Sequence, residues 1–320
     1  MRAAAYHRYG PPDVVQIEEV AKPVPQGDQV LIQVRAASVN PLDFHFMRGS
    51  PGVVRMVTGL RRPKFAVLGV DVAGVVEASG KDVRQFKPGD EVFGSCRGAF
   101  AEYACTSEST LVPKPANVTF EQAAAVPVAA YSALQALRDC GKIQAGQKVL
   151  INGAAGGVGT FAVQLAKWFG AEVTGVCSTR NVDLVRSIGA DRVVDYTRED
   201  YTGSGLHYDL VCDCIGNHSL SENRRALKPK GVHIPVGGKG DKLLGPLLQK
   251  LVLAPFYSQK MTVFFMAKNS KQDLVIMSEL TRTAKVTPII DRRYDLAETR
   301  EALAYLEQGH ARGKVLITIN

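Results

Sequence analysis

The feature that most limits what this chain can fold into is the run Lys148-Val-Leu-Ile-Asn-Gly-Ala-Ala-Gly-Gly-Val-Gly159, followed by Thr160-Phe-Ala-Val-Gln-Leu-Ala-Lys-Trp-Phe-Gly170. An apolar strand stops at Asn152, a glycine-rich turn follows, and an amphipathic helix starts near Gly157. Gly153, Gly156 and Gly159 repeat as GxxGxxG rather than as the commoner GxGxxG. The physical demand is similar: side chains must be absent where backbone meets a pyrophosphate and where helix crosses strand. The helix amino terminus then offers free N–H donors to the anion. Gly153, Gly156, Gly157, Val158 and Gly159 are therefore candidate cofactor contacts. A glycine turn of purely structural purpose is the plain alternative, and the strand–turn–helix setting favours a dinucleotide.

From Lys148 onward strand and helix patterns alternate. Strands are expected at 148–152, 172–177, 192–195, 208–212 and 231–236, with helices near 159–169, 181–188, 220–227 and 270–283. That rhythm predicts a mostly parallel sheet covered by helices. The first third instead reads as short strands and turns, including 29–36, 70–77 and 98–105, with a tight turn at Pro88-Gly89. Thr119 and Gln122 have capping-box spacing ahead of an alanine-rich stretch that Pro127 interrupts. A helix is expected over 296–307 and a strand over 314–319, the strand rejoining the first unit. The expected division is 1–122 completed by 287–320, with 123–286 as a nucleotide-binding insertion.

The end of the second strand of that insertion discriminates between cofactors. An NAD-type site needs an acid there to hold the ribose 2′-hydroxyl, whereas this chain has Ser178, Thr179 and Arg180. Two hydroxyls and a guanidinium suit a 2′-phosphate, which favours NADPH over NADH. The alternative is that Arg180 points into solvent and Ser178 caps a helix. Tyr196 and Arg198, after the third strand, are candidates to flank the adenine or phosphate, or simply exposed residues.

Bulk properties exclude some classes. A hydrophobic fraction of 46% and a charged fraction of 22% suit a globular protein rather than a disordered one. The net charge of +8 is spread along the chain, its densest cluster being Arg61, Arg62 and Lys64, so a nucleic-acid partner is not expected. The six cysteines, Cys96, Cys105, Cys140, Cys177, Cys212 and Cys214, form no CxxC pair, as expected in a reducing compartment. The amino terminus lacks the apolar run of a secretion signal. The apolar stretch Leu243 to Ala267 is broken by Lys250 and Lys260, with Pro246 and Pro255 inside it, so no transmembrane segment is expected. Its Phe256, Phe264 and Phe265 suit a hydrophobic acceptor pocket, a subunit contact or ordinary core. The expectation is a soluble, cytoplasmic protein.

With Ala37-Ser-Val-Asn-Pro-Leu-Asp43, Leu68-Gly-Val-Asp-Val-Ala-Gly74, Phe86-Lys-Pro-Gly-Asp-Glu-Val-Phe93, the glycine turn and Gly309-His-Ala-Arg-Gly-Lys-Val-Leu316, the chain resembles the medium-chain dehydrogenase/reductase superfamily. It is most similar to the zinc-independent quinone-oxidoreductase branch related to zeta-crystallin. The resemblance covers nearly the whole chain. It implies an α/β architecture: a GroES-like β-rich catalytic domain and a Rossmann-type nucleotide domain with a six-stranded sheet, an active cleft between them, and commonly a homodimer. Zinc-dependent relatives place a catalytic cysteine where this chain has Asn40, and a histidine–glutamate pair where it has Val70 and Asp71. Valine ligates no metal, and Cys96 and Cys105 lack a structural-zinc spacing, so no zinc is expected.

The same resemblance places Asn40 against the nicotinamide or substrate oxygen and Asp43 in support of that loop. It also puts Ser132 beside the nicotinamide, and Cys214-Ile-Gly216 and Val236-Gly-Gly238 near the nicotinamide half, with Gly216 and Gly237 as points of close approach. The function expected is hydride transfer from NADPH to a small hydrophobic quinone or α,β-unsaturated carbonyl, with Asn40 donating to the developing oxyanion. Tyr6, Tyr131, His45 and solvent are the candidate proton donors. The rivals are a non-catalytic NADPH-binding protein with a structural or RNA-regulatory role, and a zinc alcohol dehydrogenase.

Overall fold

A computed structural model describes residues 1–237, 258–262 and 265–319. The chain forms two compact units, Met1–Ala129 with Asn269–Asn320, and Ala130–Lys268.

The first unit opens with β1 (Arg2–Ala5) paired antiparallel to β2 (Gln16–Glu19). β3 (Gln29–Val39) leads through Asn40 into α1 (Pro41–Arg48) and α2 (Val54–Thr58). β4 (Asp71–Ser79), β5 (Glu91–Ser95), β6 (Tyr103–Ser107) and β7 (Leu111–Pro113) follow. Thr119 caps α3 (Phe120–Ala124): its hydroxyl accepts the Gln122 N–H at 3.1 Å and the Gln122 side chain accepts the Thr119 N–H at 3.0 Å. Pro127 then opens α4 (Pro127–Gln135), where a missing N–H costs nothing.

The second unit is built on β8 (Lys148–Asn152), α5 (Gly157–Trp168), β9 (Glu172–Cys177), α6 (Val182–Ser187) and β10 (Arg192–Asp195). Its other half has β11 (Tyr208–Asp213), α7 (Leu220–Arg225), β12 (Leu227–Pro235) and β13 (Lys260–Met261). All pairings are parallel, in the order β10-β9-β8-β11-β12-β13. The order reverses between β8 and β11, and the crevice at such a reversal is where open α/β sheets bind ligands. Phe161, Val163 and Leu165 of α5 are buried, as are Leu150 and Val211 of the sheet. β12 starts earlier than the pattern indicated, because Leu227 pairs with Tyr208 ahead of the positive-φ residue Lys230.

The chain then returns to the first unit through α8 (Lys271–Arg282), β14 (Ile290–Asp295), α9 (Thr299–Glu307) and β15 (Lys314–Thr318). These complete a seven-stranded sheet ordered β14-β15-β3-β4-β5-β7, with β6 paired to β3. β15 pairs with the Ala36–Val39 end of β3 and β6 with its Gln29–Gln33 end, so the two termini share one core. Val30, Ile32, Val72, Phe100, Leu303 and Ile317 lie in it. α8 packs on β7, and so is counted with the first unit rather than inside the range 123–286.

Gly238 and most of the stretch Leu243 to Ala267 lie outside the described residues. Among the described residues, no helix is long and apolar enough to cross a membrane.

Candidate active site and cofactor site

The glycine turn is shaped by two different constraints. Gly153 turns with φ of 82°, and a Cβ on Gly159 would lie 2.0 Å from the Gly153 carbonyl oxygen. Gly159 is therefore required by the fold itself. At Gly156 a Cβ would meet nothing closer than 3.4 Å, so the fold does not demand glycine there. Gly156 precedes α5 without a side chain to cap it, and the first helical bond is Thr160 N–H to the Gly156 carbonyl at 2.9 Å. The N–H groups of Gly157, Val158 and Gly159 thus have no acceptor within the helix, which is the arrangement that receives a pyrophosphate.

At the end of β9 the structure adds an acid that sequence reasoning missed. Asp195, which closes β10, accepts the Thr179 hydroxyl at 2.6 Å and the Thr197 hydroxyl at 2.8 Å. Arg198 lies 3.5 Å from it. The Thr179 hydroxyl, Thr197 and Arg198 hold the Asp195 carboxyl below the usual carboxylate range. Thr179 is thus already committed as a donor. Ser178 accepts from Asn181 Nδ2 at 3.2 Å and keeps its own proton to give. Tyr196, 58% exposed, donates its N–H to the Cys177 carbonyl at 3.0 Å, which sets it against the end of β9. The only sequence signal for Asp195 was its position beside Tyr196 at a strand end.

The loop after β11 is shaped by Asp213. Its Oδ1 accepts from Asn152 Nδ2 at 2.8 Å, Ile215 N–H at 3.1 Å and Gly216 N–H at 2.8 Å. Its Oδ2 faces His233 Nε2 at 3.5 Å. Burial alone would raise the Asp213 pKa, but His233 and the two loop N–H groups outweigh it and lower it. Gly216 needs its freedom for a φ of 69°. A Cβ on Gly237 would lie 2.2 Å from the Cys214 carbonyl oxygen, so this glycine is needed for close packing of loop on loop, a reason independent of any ligand. Ser132 lies half-buried on α4.

In the first unit, Asn40 and Asp43 belong to a buried polar cluster with Ser38, Asp71 and Lys314. Asp43 accepts the Asn40 N–H at 2.7 Å and the Gly69 N–H at 3.2 Å, pinning the start of α1 to the entry of β4. The Asn40 carboxamide donates to the Ser38 carbonyl at 3.1 Å and to Asp71 Oδ2 at 2.9 Å, and accepts from Lys314 Nζ at 2.6 Å. The ammonium on one side and the two oxygens on the other dictate which way the amide points. Both Asn40 N–H groups are thereby spent within the protein, and one of these bonds would have to break for Asn40 to donate to a substrate oxygen. Burial, with Asp71 nearby, pushes the Asp43 carboxyl up to about 7. Burial also raises Asp71 and lowers Lys314.

Of the candidate proton donors, Tyr6 is buried, its hydroxyl is 3.5 Å from the Phe46 carbonyl, and burial pushes its pKa up to about 12. His45 Nδ1 is 2.9 Å from the Ser50 carbonyl. Tyr131 is buried on α4. A zinc ion does not fit beside Asn40. Asp71 already receives Ser38 Oγ at 2.7 Å, Asn40 and the Val128 N–H at 3.1 Å, with the Lys314 ammonium 3.6 Å away. Among the described residues, no group of three His, Cys, Asp or Glu side chains is placed to hold a metal.

An alcohol dehydrogenase GroES-like domain matches residues 26–116, and a zinc-binding dehydrogenase domain matches 188–317. The chain is 34% identical to a mitochondrial NAD(P)H oxidoreductase of Danio rerio, across 100% of this chain and 91% of that protein. It is 34% identical to a chloroplastic NADPH-dependent alkenal/one oxidoreductase of Arabidopsis thaliana, across 99% and 79%. The solved quinone oxidoreductase of Coxiella burnetii superposes with a TM-score of 0.89 at 30% identity, covering 100% of this chain and 99% of that one.

The fold and the nucleotide turn define a medium-chain dehydrogenase/reductase, and the chain belongs to the zinc-independent, zeta-crystallin-like quinone-oxidoreductase branch of that superfamily. It is an NAD(P)H-dependent oxidoreductase of the quinone/enone-reductase type. The expectation of a cytoplasmic protein is overturned by its relatives, most of whose names place them in mitochondria or chloroplasts. Composition and cysteine spacing do not separate these compartments from the cytoplasm.

Proposed function

We propose that the chain transfers hydride from NADPH to a small hydrophobic quinone or α,β-unsaturated carbonyl. The bound nicotinamide supplies the hydride, which goes to a quinone ring or to the β-carbon of an enone. The observation that carries the cofactor half of this reading is the uncapped start of α5 beneath a turn whose Gly156 the fold does not require. Gly153, Gly156, Gly157, Val158 and Gly159 receive the pyrophosphate. Ser178 and Arg180 bind the 2′-phosphate, and Thr179 helps through Asp195 by ordering the strand end. Tyr196 covers the adenine. Gly216, Gly237 and Ser132 serve the nicotinamide half, with Asp213 holding the 214–216 loop in shape.

Asn40 and Asp43 act in this reading as positioning residues, fixing the β3–α1 junction through hydrogen bonds they already make. Protonation of the enolate or quinol oxygen falls to solvent in this reading, since Tyr6 is buried with its hydroxyl 3.5 Å from the Phe46 carbonyl. A homodimer acting on a small molecule rather than on nucleic acid completes the proposal. The test is oxidation of NADPH, with NADH in parallel, by chelator-treated protein against quinones and unsaturated ketones and aldehydes. Faster turnover with NADPH on either acceptor class supports the reading. Equal use of NADH, or turnover only after zinc is added, overturns it.

A further inference from the structure

The segment 51–65 of the first unit is built inside out. Its short helix α2 is fastened to the protein by its polar side: Tyr9 Oη is 2.9 Å from Thr58 Oγ1, and the Arg55 guanidinium lies 4.7 Å from the Tyr9 ring centroid. Arg55 Nε also donates to the Gly49 carbonyl at 3.0 Å, and Thr58 is buried. The apolar side chains face the other way. Met56 and Val57 on α2, Val53 at its N-cap and Leu60 just past the Gly59 turn are 61–73% exposed, and Phe65 is 42% exposed. The loop after α2 is closed by the Lys64 N–H donating to the Thr58 carbonyl at 2.7 Å, so the tip 59–63 is held out rather than frayed.

The charge along this stretch of chain has one sign. No Asp or Glu occurs between Phe44 and Val70, while Arg61, Arg62 and Lys64 follow the apolar face directly and are exposed. Among the described residues these three cations form no ion pair. A cluster of exposed large apolar side chains on a fastened element marks an interaction surface. An apolar tip rimmed by unpaired cations matches the boundary of an anionic bilayer, where apolar side chains enter the acyl region and cations meet lipid phosphates.

We propose that residues 53–65 dock this protein on an anionic membrane surface, with Val53, Met56, Val57 and Leu60 inserted and Arg61, Arg62 and Lys64 on the headgroups. This surface belongs to the first unit and does not depend on the acceptor assignment above.

The test is co-sedimentation of the full chain with phosphatidylcholine vesicles and with vesicles that also contain phosphatidylglycerol. Binding is expected only with the anionic lipid, weakening as salt rises. Met56→Asp with Leu60→Asp, and separately Arg61→Glu with Arg62→Glu, should each lower the bound fraction about tenfold or more. Circular dichroism and NADPH oxidation with a water-soluble acceptor, expected unchanged, report that each variant is folded. No binding to anionic vesicles, or binding untouched by both variants, overturns the proposal. So does a concentration-dependent dimer that the Met56/Leu60 variant dissolves, since the occupant is then a second copy. Loss of soluble-acceptor turnover in a folded variant with vesicle binding intact overturns it too, placing the face in the substrate site.

Discussion

Lys314 Nζ donates to Asn40 Oδ1 at 2.6 Å, joining residues 274 positions apart in a pocket where Lys314 is only 3% exposed. The same ammonium lies 3.6 Å from Asp71, and its cluster holds two carboxylates for one cation. Where its two termini meet, the first unit therefore carries an ionised core beside its apolar one. Such a core is stable only while every member keeps its partner.

Replacing Lys314 by Met should destabilise the protein by about 3–5 kcal/mol, because Asp71 and Asp43 are left buried without a countercharge. Adding Asp71→Asn to that variant should recover part of the loss. The midpoint of urea unfolding checks both. A midpoint unmoved by Lys314→Met would show that the cation contributes nothing to the buried cluster.

Asp43 titrates in the fold at about 7 instead of 3.8, so the folded state holds its proton more tightly than the unfolded chain. The stability this group contributes is complete below about pH 4 and is lost as pH rises through about 7, at most roughly 4 kcal/mol in all. Unfolding midpoints measured from pH 4 to 8 should fall in the native protein and fall less in Asp43→Asn. Parallel slopes in the two proteins would assign the pH dependence to other groups.

Gly159→Ala and Gly156→Ala should separate fold from ligand. The first drives a methyl into the Gly153 carbonyl and should cost about 1–3 kcal/mol of stability along with cofactor binding. The second, whose new Cβ comes no closer than 3.4 Å to any atom, should leave the unfolding midpoint nearly unchanged and weaken NADPH binding. Nicotinamide fluorescence titration and unfolding curves on the same samples distinguish them. Full NADPH affinity in Gly156→Ala would remove this glycine from the cofactor site.

Arg180→Ala should raise the KM for NADPH about tenfold or more and leave that for NADH nearly constant, as loss of a charge-assisted bond to a phosphate requires. Asp195→Asn should move the preference the other way by removing the acid beside Thr179. Equal effects on both coenzymes would show that these residues act on the fold of the strand end and not on the 2′-phosphate.

Much of this was legible in the residues because it is local. A strand, a glycine turn and a helix are adjacent in sequence, so their pattern at 148–170 carried both the nucleotide fold and the candidate pyrophosphate site. The alternation that follows foreshadowed the parallel sheet, and Thr119 with Gln122 announced a helix start that the structure contains. Asn40 and Asp43 stood out through a family resemblance, which named positions but not contacts.

What only the tertiary structure decided is which distant groups meet. Asp195 reaches Thr179 because β10 and β9 are neighbours in the sheet, and that contact spends a hydroxyl that appeared available to a phosphate. Lys314 reaches Asn40 because β15 pairs with the end of β3, and that contact, with those to Asp71 and the Ser38 carbonyl, occupies both N–H groups and the oxygen of an amide expected to face substrate. The inward and outward faces of α2 were set by Tyr9, nearly fifty residues away. Hydrophobic periodicity reports which face of an element is apolar, but long-range packing decides whether that face is buried. Burial in turn decides whether a carboxylate, a lysine or an asparagine is free to act or already held.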